Sequence, residues 1–370
     1  MVRILHMADM HLDAPFTSRM PLDVAKLRRS EQREVFSQII DMAKSRADIM
    51  VISGDLFDSR NVSAETLNFL KRKFGEISSV PVFISAGNHD PFSDSSVYNR
   101  ESLGDNVHVF SCGGEFFDLD DLGVRVAGAS FASEDGSGLK RPADFPKHGE
   151  YANILVIHGD ALSGEVGGRY NGIRKDDLES SGFDYVALGH IHSFGGIERA
   201  GETLWAYPGI PEPRGFDEIS ESGVIVGQVG RGEAELKLLS VAKRRYGIIE
   251  AELPENVGDN ETVVERIGAE IEKSGRDILR IILKGRTQRG FRADLQLIHD
   301  RVKDKAFYIE IKDETKAEYD LNAAENDNSL RAVYIRMMSE RLRECKAGSR
   351  EYNITEMALR FGLDAMESKG

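Results

Sequence analysis

The 370-residue sequence predicts an α/β fold with two packed sheets over residues 1–245, a small separate α/β domain over 246–315 and a linker with a helical tail over 316–370. Three observations predict this layout. The first half alternates short apolar runs with amphipathic stretches, the signature of an α/β sheet. Three strand-like runs between residues 203 and 239, separated by glycine-rich turns, read as an antiparallel run and imply a second sheet packed on the first. The character of the chain then changes at Lys243-Arg244-Arg245.

Each element has its own justification. Residues 2–5, 49–52 and 80–84 are short apolar runs that read as buried strands, the last despite Pro81. Between the first two, Ser30 is the predicted N-cap of a helix reaching about Ser45, with Val35, Phe36, Ile39 and Ile40 on its apolar positions. Ser63 opens a second helix carrying Leu67, Phe69, Leu70 and Phe74. Strands follow at 153–157, 185–188, 203–207, 223–229 and 235–239. Beyond residue 245, strands at 248–253, 278–283 and 307–311 alternate with helices at 261–273 and 292–302. Residues 313–327 are polar and acidic, like a linker. The remainder reads as helical, with Leu330, Val333, Tyr334, Met337 and Leu342 on one face.

Composition narrows the class. Hydrophobic residues at 41% and charged residues at 30% fit a globular protein. No stretch approaches the roughly 18 uninterrupted apolar residues of a membrane span, and the N-terminus lacks the apolar run of a signal peptide. Two distant cysteines, Cys112 and Cys345, argue against a disulfide framework or a zinc ribbon and fit a reducing cytoplasm. A formal charge of −14 argues against general adhesion to nucleic acid, although bound cations and a local basic rim can still grip phosphates.

Five clusters carry the chemistry, each where a predicted strand gives way to a loop. They are Asp9-Met10-His11, Gly54-Asp55-Leu56-Phe57-Asp58, Gly87-Asn88-His89-Asp90, His158-Gly159 and Gly189-His190-Ile191-His192. Five of the nine histidines lie in them. Mixed carboxylate, amide and imidazole donors suit Mn²⁺, Fe or Zn²⁺ better than Ca²⁺ or Mg²⁺ alone. The two-residue spacing in Asp9/His11 and His190/His192 lets both side chains reach one ion at a strand end. Glycine before Asp55, Asn88 and His190 permits a sharp turn. Taken singly, Asp9 reads as a surface turn and His11 as a half-buried histidine; the ordered set makes them ligands. Asp90 reads as structural, and His6, His108, His148 and His299 as packing or surface residues.

The ordered motifs resemble the calcineurin-like metallophosphoesterase superfamily across residues 9–192. The string from Asp184 to His192, with Tyr207-Pro208-Gly209, Glu212-Pro213-Arg214 and Phe216-Asp217-Glu218, resembles the SbcD-type DNA repair exonucleases, and residues 6–16 the YhaO-like branch of that group. Met10 and Ile210 depart from the usual pattern, and the match beyond about Tyr246 is in outline only. The resemblance implies a two-sheet αββα sandwich holding two divalent metal ions, Mn²⁺ by expectation. One would be bound by Asp9, His11, Asp55 and His192, the other by the bridging Asp55 with Asn88, His158 and His190. It implies that His89 assists the leaving oxygen and that Asp58 orients His89. It further implies 3′→5′ exonuclease and single-strand endonuclease activity on DNA, a homodimer, an SbcC-like ABC/SMC ATPase partner gripped by the C-terminal helices, and a cap that screens DNA ends.

Other readings stand beside these. A small-molecule phosphodiesterase or protein phosphatase would carry the same motifs, and a scaffold that had lost catalysis would be expected to have lost ligands. Arg214 is a candidate phosphate contact. Lys71-Arg72-Lys73 and Lys243-Arg244-Arg245 read more simply as solvent-facing runs than as DNA contacts.

Overall fold

The computed structural model describes residues 1–16, 20–134, 140–161, 171–288, 291–317 and 329–367. The chain divides into two compact units, Met1–Tyr246 and Gly247–Gly370.

In the first unit the elements run β1 (Val2–Met7), α1 (Leu22–Arg46), β2 (Ile49–Ser53), α2 (Ala64–Gly75), β3 (Val82–Ser85), α3 (Val97–Arg100), β4 (Val107–Val109), β5 (Glu115–Leu119) and β6 (Val124–Ala129). They continue as β7 (Ala152–His158), α4 (Lys175–Glu179), β8 (Tyr185–Gly189), β9 (Glu198–Ala200), β10 (Thr203–Ala206), β11 (Val224–Gly230) and β12 (Glu233–Leu239). Two six-stranded sheets result, ordered β12-β11-β1-β2-β3-β4 and β5-β6-β7-β8-β10-β9.

Side-chain alternation builds the layers. On β1, Val2 and Ile4 enter the core between the sheets, while Leu5 and Met7 join the outer core with Phe36 of α1 and Leu70 of α2. On β7, Ile154 and Val156 face inward, whereas Leu155 and Ile157 pack with Leu178 of α4. Both faces of the central strands are therefore buried, which is why they read as unbroken apolar runs. The layers are helix, sheet, sheet, helix.

Three sequence expectations need correction. Helix α1 begins at Leu22, after Pro21, so Ser30 lies inside it rather than at its cap. The segment before Ser30 is rich in helix formers, and Ala25 and Arg28 within it are buried. The three runs between 203 and 239 do not form one antiparallel set. β10 pairs parallel with β8 in one sheet, while β11 and β12 extend the other through β1. Finally, β4, β5, β6 and β9 were not expected. β4 is short and only half-buried, and β5 is largely exposed, so neither leaves a strong apolar run in the sequence.

The second unit contains β13 (Tyr246–Glu252), α5 (Asn260–Ser274), β14 (Ile278–Lys284), β15 (Arg286–Thr287), α6 (Leu295–Val302), β16 (Tyr308–Asp313), β17 (Lys316–Ala317), α7 (Leu330–Glu344) and α8 (Arg350–Glu367). A sheet ordered β13-β14-β16 is covered by Val263 and Ile267 of α5 and by Ile298 and Val302 of α6. Helices α7 and α8 pack through Ala332, Ile335, Leu359 and Leu363, with Tyr334, Met338 and Leu342 alongside. The apolar face anticipated on α7 is thus split: Leu330, Val333 and Met337 are exposed. Residues 318–327 of the expected linker lie outside the described residues. Among the described residues no helix is long and apolar enough to cross a membrane.

Candidate metal centre

The carboxyl ends of β1, β2, β3, β7 and β8 deliver the five clusters to one edge of the sandwich, where open α/β sheets bind ligands. Asp9, His11 and Asp55 come from one sheet, and His158, His190 and His192 from the other. Strand parity does not explain how they converge. Asp9 and His11 lie beyond the end of β1 with φ of 53° and 47°, and Asp55 has φ of 50°. Such left-handed backbone at non-glycine residues is held by its surroundings and concentrates at functional sites. Here the Asp9 N–H donates to Gly54 O at 3.0 Å and the His11 N–H to Asp55 O at 2.9 Å, so the two loops knit together. Of the motif glycines, Gly54 has the positive φ of a sharp turn. Gly189 is needed for another reason, since a Cβ there would stand 1.8 Å from Ser53 O across the two sheets.

The side chains face one another closely. The Nε2 atoms of His11 and His192 are 3.2 Å apart. Asp55 Oδ2 lies 3.6 Å from Nε2 of both His11 and His158, between the two sets of donors. The Nδ1–H of His158 donates to Ser53 O at 2.8 Å, leaving its Nε2 lone pair 3.0 Å from Asn88 Oδ1. Among the described residues, three groups have ligand atoms within 4.8 Å of one another: Asp9, His11, His192; Asp9, Asp55, His158; and His11, Asp58, His89. The His190 ring stands edge-on to His158 at 5.2 Å, and its backbone N–H donates to both Asp9 oxygens at 3.1 Å.

Burial governs the protonation of most of this cluster, His192 excepted, where Glu218 and Asp9 outweigh burial and raise the pKa. Burial raises the Asp9 pKa to about 7 and lifts that of Asp55 as well. It lowers His158 and His190 to about 4, and His11 well below the usual histidine value. Electron-rich donor atoms are thus crowded together, and His11 Nδ1, on the other side of its ring from Nε2, is buried without a hydrogen bond. A divalent cation among the Nε2 atoms and carboxylates would turn these crowded atoms into ligands, so the donor set fits the metals that the motifs imply.

Around the centre, His89 is exposed, and its Nδ1–H donates to Asp58 O at 3.0 Å. The expected orientation of His89 by Asp58 is thus corrected in one respect. The main-chain carbonyl makes the contact, and the carboxylate turns instead to Arg214 Nη1 at 2.7 Å and His11 Nδ1 at 3.3 Å. Arg214 also donates to Glu218 Oε1 through Nη2 at 3.0 Å. It bridges two carboxylates and is not an uncommitted phosphate-binding cation. Glu218 accepts from His192 Nδ1 at 2.8 Å. Burial opposes its ionisation, but the His192 and Arg214 contacts outweigh this and lower its pKa to about 2.

Sequence reasoning quoted Glu218 within a string but assigned it no role. Nor did it find the contacts of His6, whose parity on β1 turns it inward to Tyr185 OH at 2.8 Å and Ser53 Oγ at 3.0 Å. Asp90 is structural as expected, accepting from the Phe57 and Gly87 N–H groups and from Tyr98 OH. The basic runs are engaged within the protein: Lys71 with Glu101, Lys73 with Glu76, Lys243 with Glu34 and Arg244 with the buried Glu31.

Comparison with known proteins agrees with the geometry. The family model for calcineurin-like phosphoesterases matches residues 2–194, more than half of the chain. An uncharacterized metallophosphoesterase, YhaO, of Bacillus subtilis is 26% identical over 302 residues, covering 76% of this chain and 71% of that protein. The DNA double-strand break repair protein Mre11 of Methanopyrus kandleri is 26% identical over 241 residues, 60% of this chain and 51% of the relative. The SbcD component of the nuclease SbcCD from Staphylococcus epidermidis is 23% identical over 252 residues, 60% of this chain and 64% of the relative. The alignments to these last two span less than two thirds of the relatives' own length. The chain belongs to the calcineurin-like phosphoesterase family, metal-dependent hydrolases of phosphoester bonds.

Proposed function

We propose that the protein is a two-metal DNA nuclease of double-strand-break repair, a 3′→5′ exonuclease with endonuclease activity on single strands. The carrying observation is the convergence of His11, His192 and His158 Nε2 around the Asp55 carboxylate. In this reading Asp9, His11, Asp55 and His192 hold one ion, and Asp55, Asn88, His158 and His190 the other. Bound, the pair of ions, Mn²⁺ here, supplies Lewis acidity to the phosphoryl group and a water of lowered pKa. The residues do the rest. Asp55, 3.6 Å from imidazoles of both sets, bridges the halves of the centre. His89, anchored through its Nδ1–H, would as the imidazolium give its Nε2 proton to the departing oxygen.

DNA as substrate rests on the Mre11 and SbcCD relatives. A homodimer, an SbcC-like ATPase partner, a capping role for residues 246–315 and a cytoplasmic location belong to the same reading. The exposed Leu330, Met337, Ile354 and Phe361 of the α7/α8 hairpin support a partner-binding surface there. Small-molecule phosphodiesterase activity is the second reading, favoured by the commitment of Arg214 to two carboxylates.

Hydrolysis with Mn²⁺ tests both. Wild type and His89→Ala are compared on labelled single- and double-stranded DNA and on bis-p-nitrophenyl phosphate. We expect DNA cleavage that falls roughly 10²–10⁴-fold in His89→Ala with metal still bound. Cleavage of the small diester alone, even with an added ATPase partner, would favour the second reading.

A further inference from the structure

We propose that Glu218 is a positioning residue for the metal centre: it fixes the ring of His192 with Nε2 toward the other ligands, and Arg214 in turn fixes Glu218. The inference rests on the two-metal reading above and adds residues outside its ligand set.

Three contacts carry it. Glu218 Oε1 receives His192 Nδ1 at 2.8 Å, so the proton sits on Nδ1 and the lone pair on Nε2, which points to His11 Nε2 at 3.2 Å. Glu218 Oε2 receives the Arg214 backbone N–H at 2.6 Å, and Oε1 also receives Nη2 at 3.0 Å. The other arm of Arg214 reaches Asp58 Oδ1 at 2.7 Å. Glu218 is nearly buried, at 9% exposure, so water does not readily replace its contacts. Asp58 follows β2 in one sheet, and His192 follows β8 in the other. The chain Asp58, Arg214, Glu218, His192 therefore ties a loop from each sheet across the centre. A carboxylate behind a ligating imidazole fixes its tautomer and orientation, and its loss weakens metal binding by about 10–100-fold.

The test is calorimetric titration of the metal-free full chain with Mn²⁺ at pH 7.5. Wild type should show two binding events. In Glu218→Ala one event should weaken about 10–100-fold while the other stays within about twofold. Glu218→Gln keeps the shape and one acceptor oxygen and should fall between them; it also serves if the alanine variant fails to fold. Unchanged affinities in both variants would overturn the assignment. So would equal weakening of both events, which is the mark of general loosening. A wild type that binds no Mn²⁺ would instead overturn the two-metal reading itself, a result distinct from either.

Discussion

Tyr185, His6 and Ser53 form a hydrogen-bonded stitch between the sheets, and its directions can be assigned. Ser53 Oγ donates to Ala187 O at 2.9 Å, so His6 Nε2–H donates to Ser53 Oγ and His6 Nδ1 accepts from Tyr185 OH. Burial holds His6 neutral, with its pKa pushed to about 3. Tyr185→Phe would strand the buried Nδ1 acceptor and is expected to destabilise by about 1–3 kcal/mol. The check is a lowered urea midpoint with unchanged slope. The candidate ligands were legible in the sequence because their types and order are unusual together. The roles of His6 and Glu218 were not, because a single inward histidine or a distant carboxylate gains its role only from what the fold sets beside it.

At the scale of elements, the close approach of β8 to the end of β2 depends on Gly189. Gly189→Ala would drive a methyl group into Ser53 O, and the backbone cannot yield as a side-chain tip would. We expect a loss of about 1–3 kcal/mol or more, read by thermal unfolding. Helix α1 is joined to the loop after β10 by a buried ionic cluster, in which Arg28 meets Glu31 at 2.7 Å and Glu212 at 2.5 Å. Burial opposes ionisation of Glu31, but hydrogen bonds from Arg244 and Arg28 outweigh it and leave its pKa below the ordinary 4.5. A depressed carboxylate stabilises the fold above its unfolded pKa and loses that contribution as pH falls through the folded value. The stability advantage of wild type over Glu31→Gln should therefore hold from pH 7 to about 4.5 and shrink below it, as urea titrations across pH would register. The strands of the parallel centre were legible from their apolar runs. The sheet to which β11 and β12 belong was not, since spacing alone does not say whether a strand turns back or crosses over.

For the whole molecule, two compact units with separate cores predict two unfolding transitions rather than one. The candidate centre lies entirely in the first, so Mn²⁺ should raise only that unit's midpoint. At a free concentration 100 times Kd the gain is about 2.7 kcal/mol, and EDTA should remove it. Scanning calorimetry with and without metal reads both. A uniform shift of both transitions would contradict the assignment of the centre to one unit. Composition could not foretell how α7 would divide its apolar residues between α8 and solvent.

The facing imidazoles of His11 and His192 lie 181 residues apart in the chain. At about 5–20 residues per second of synthesis, roughly 10–40 s separate the emergence of the first from that of the second. A growing chain thus carries five of the seven candidate ligands before it can complete the set. Whatever hydrolytic power the centre has is withheld until both sheets have been made and docked, so a prematurely terminated product ending before β8 would be harmless to the phosphodiesters around it.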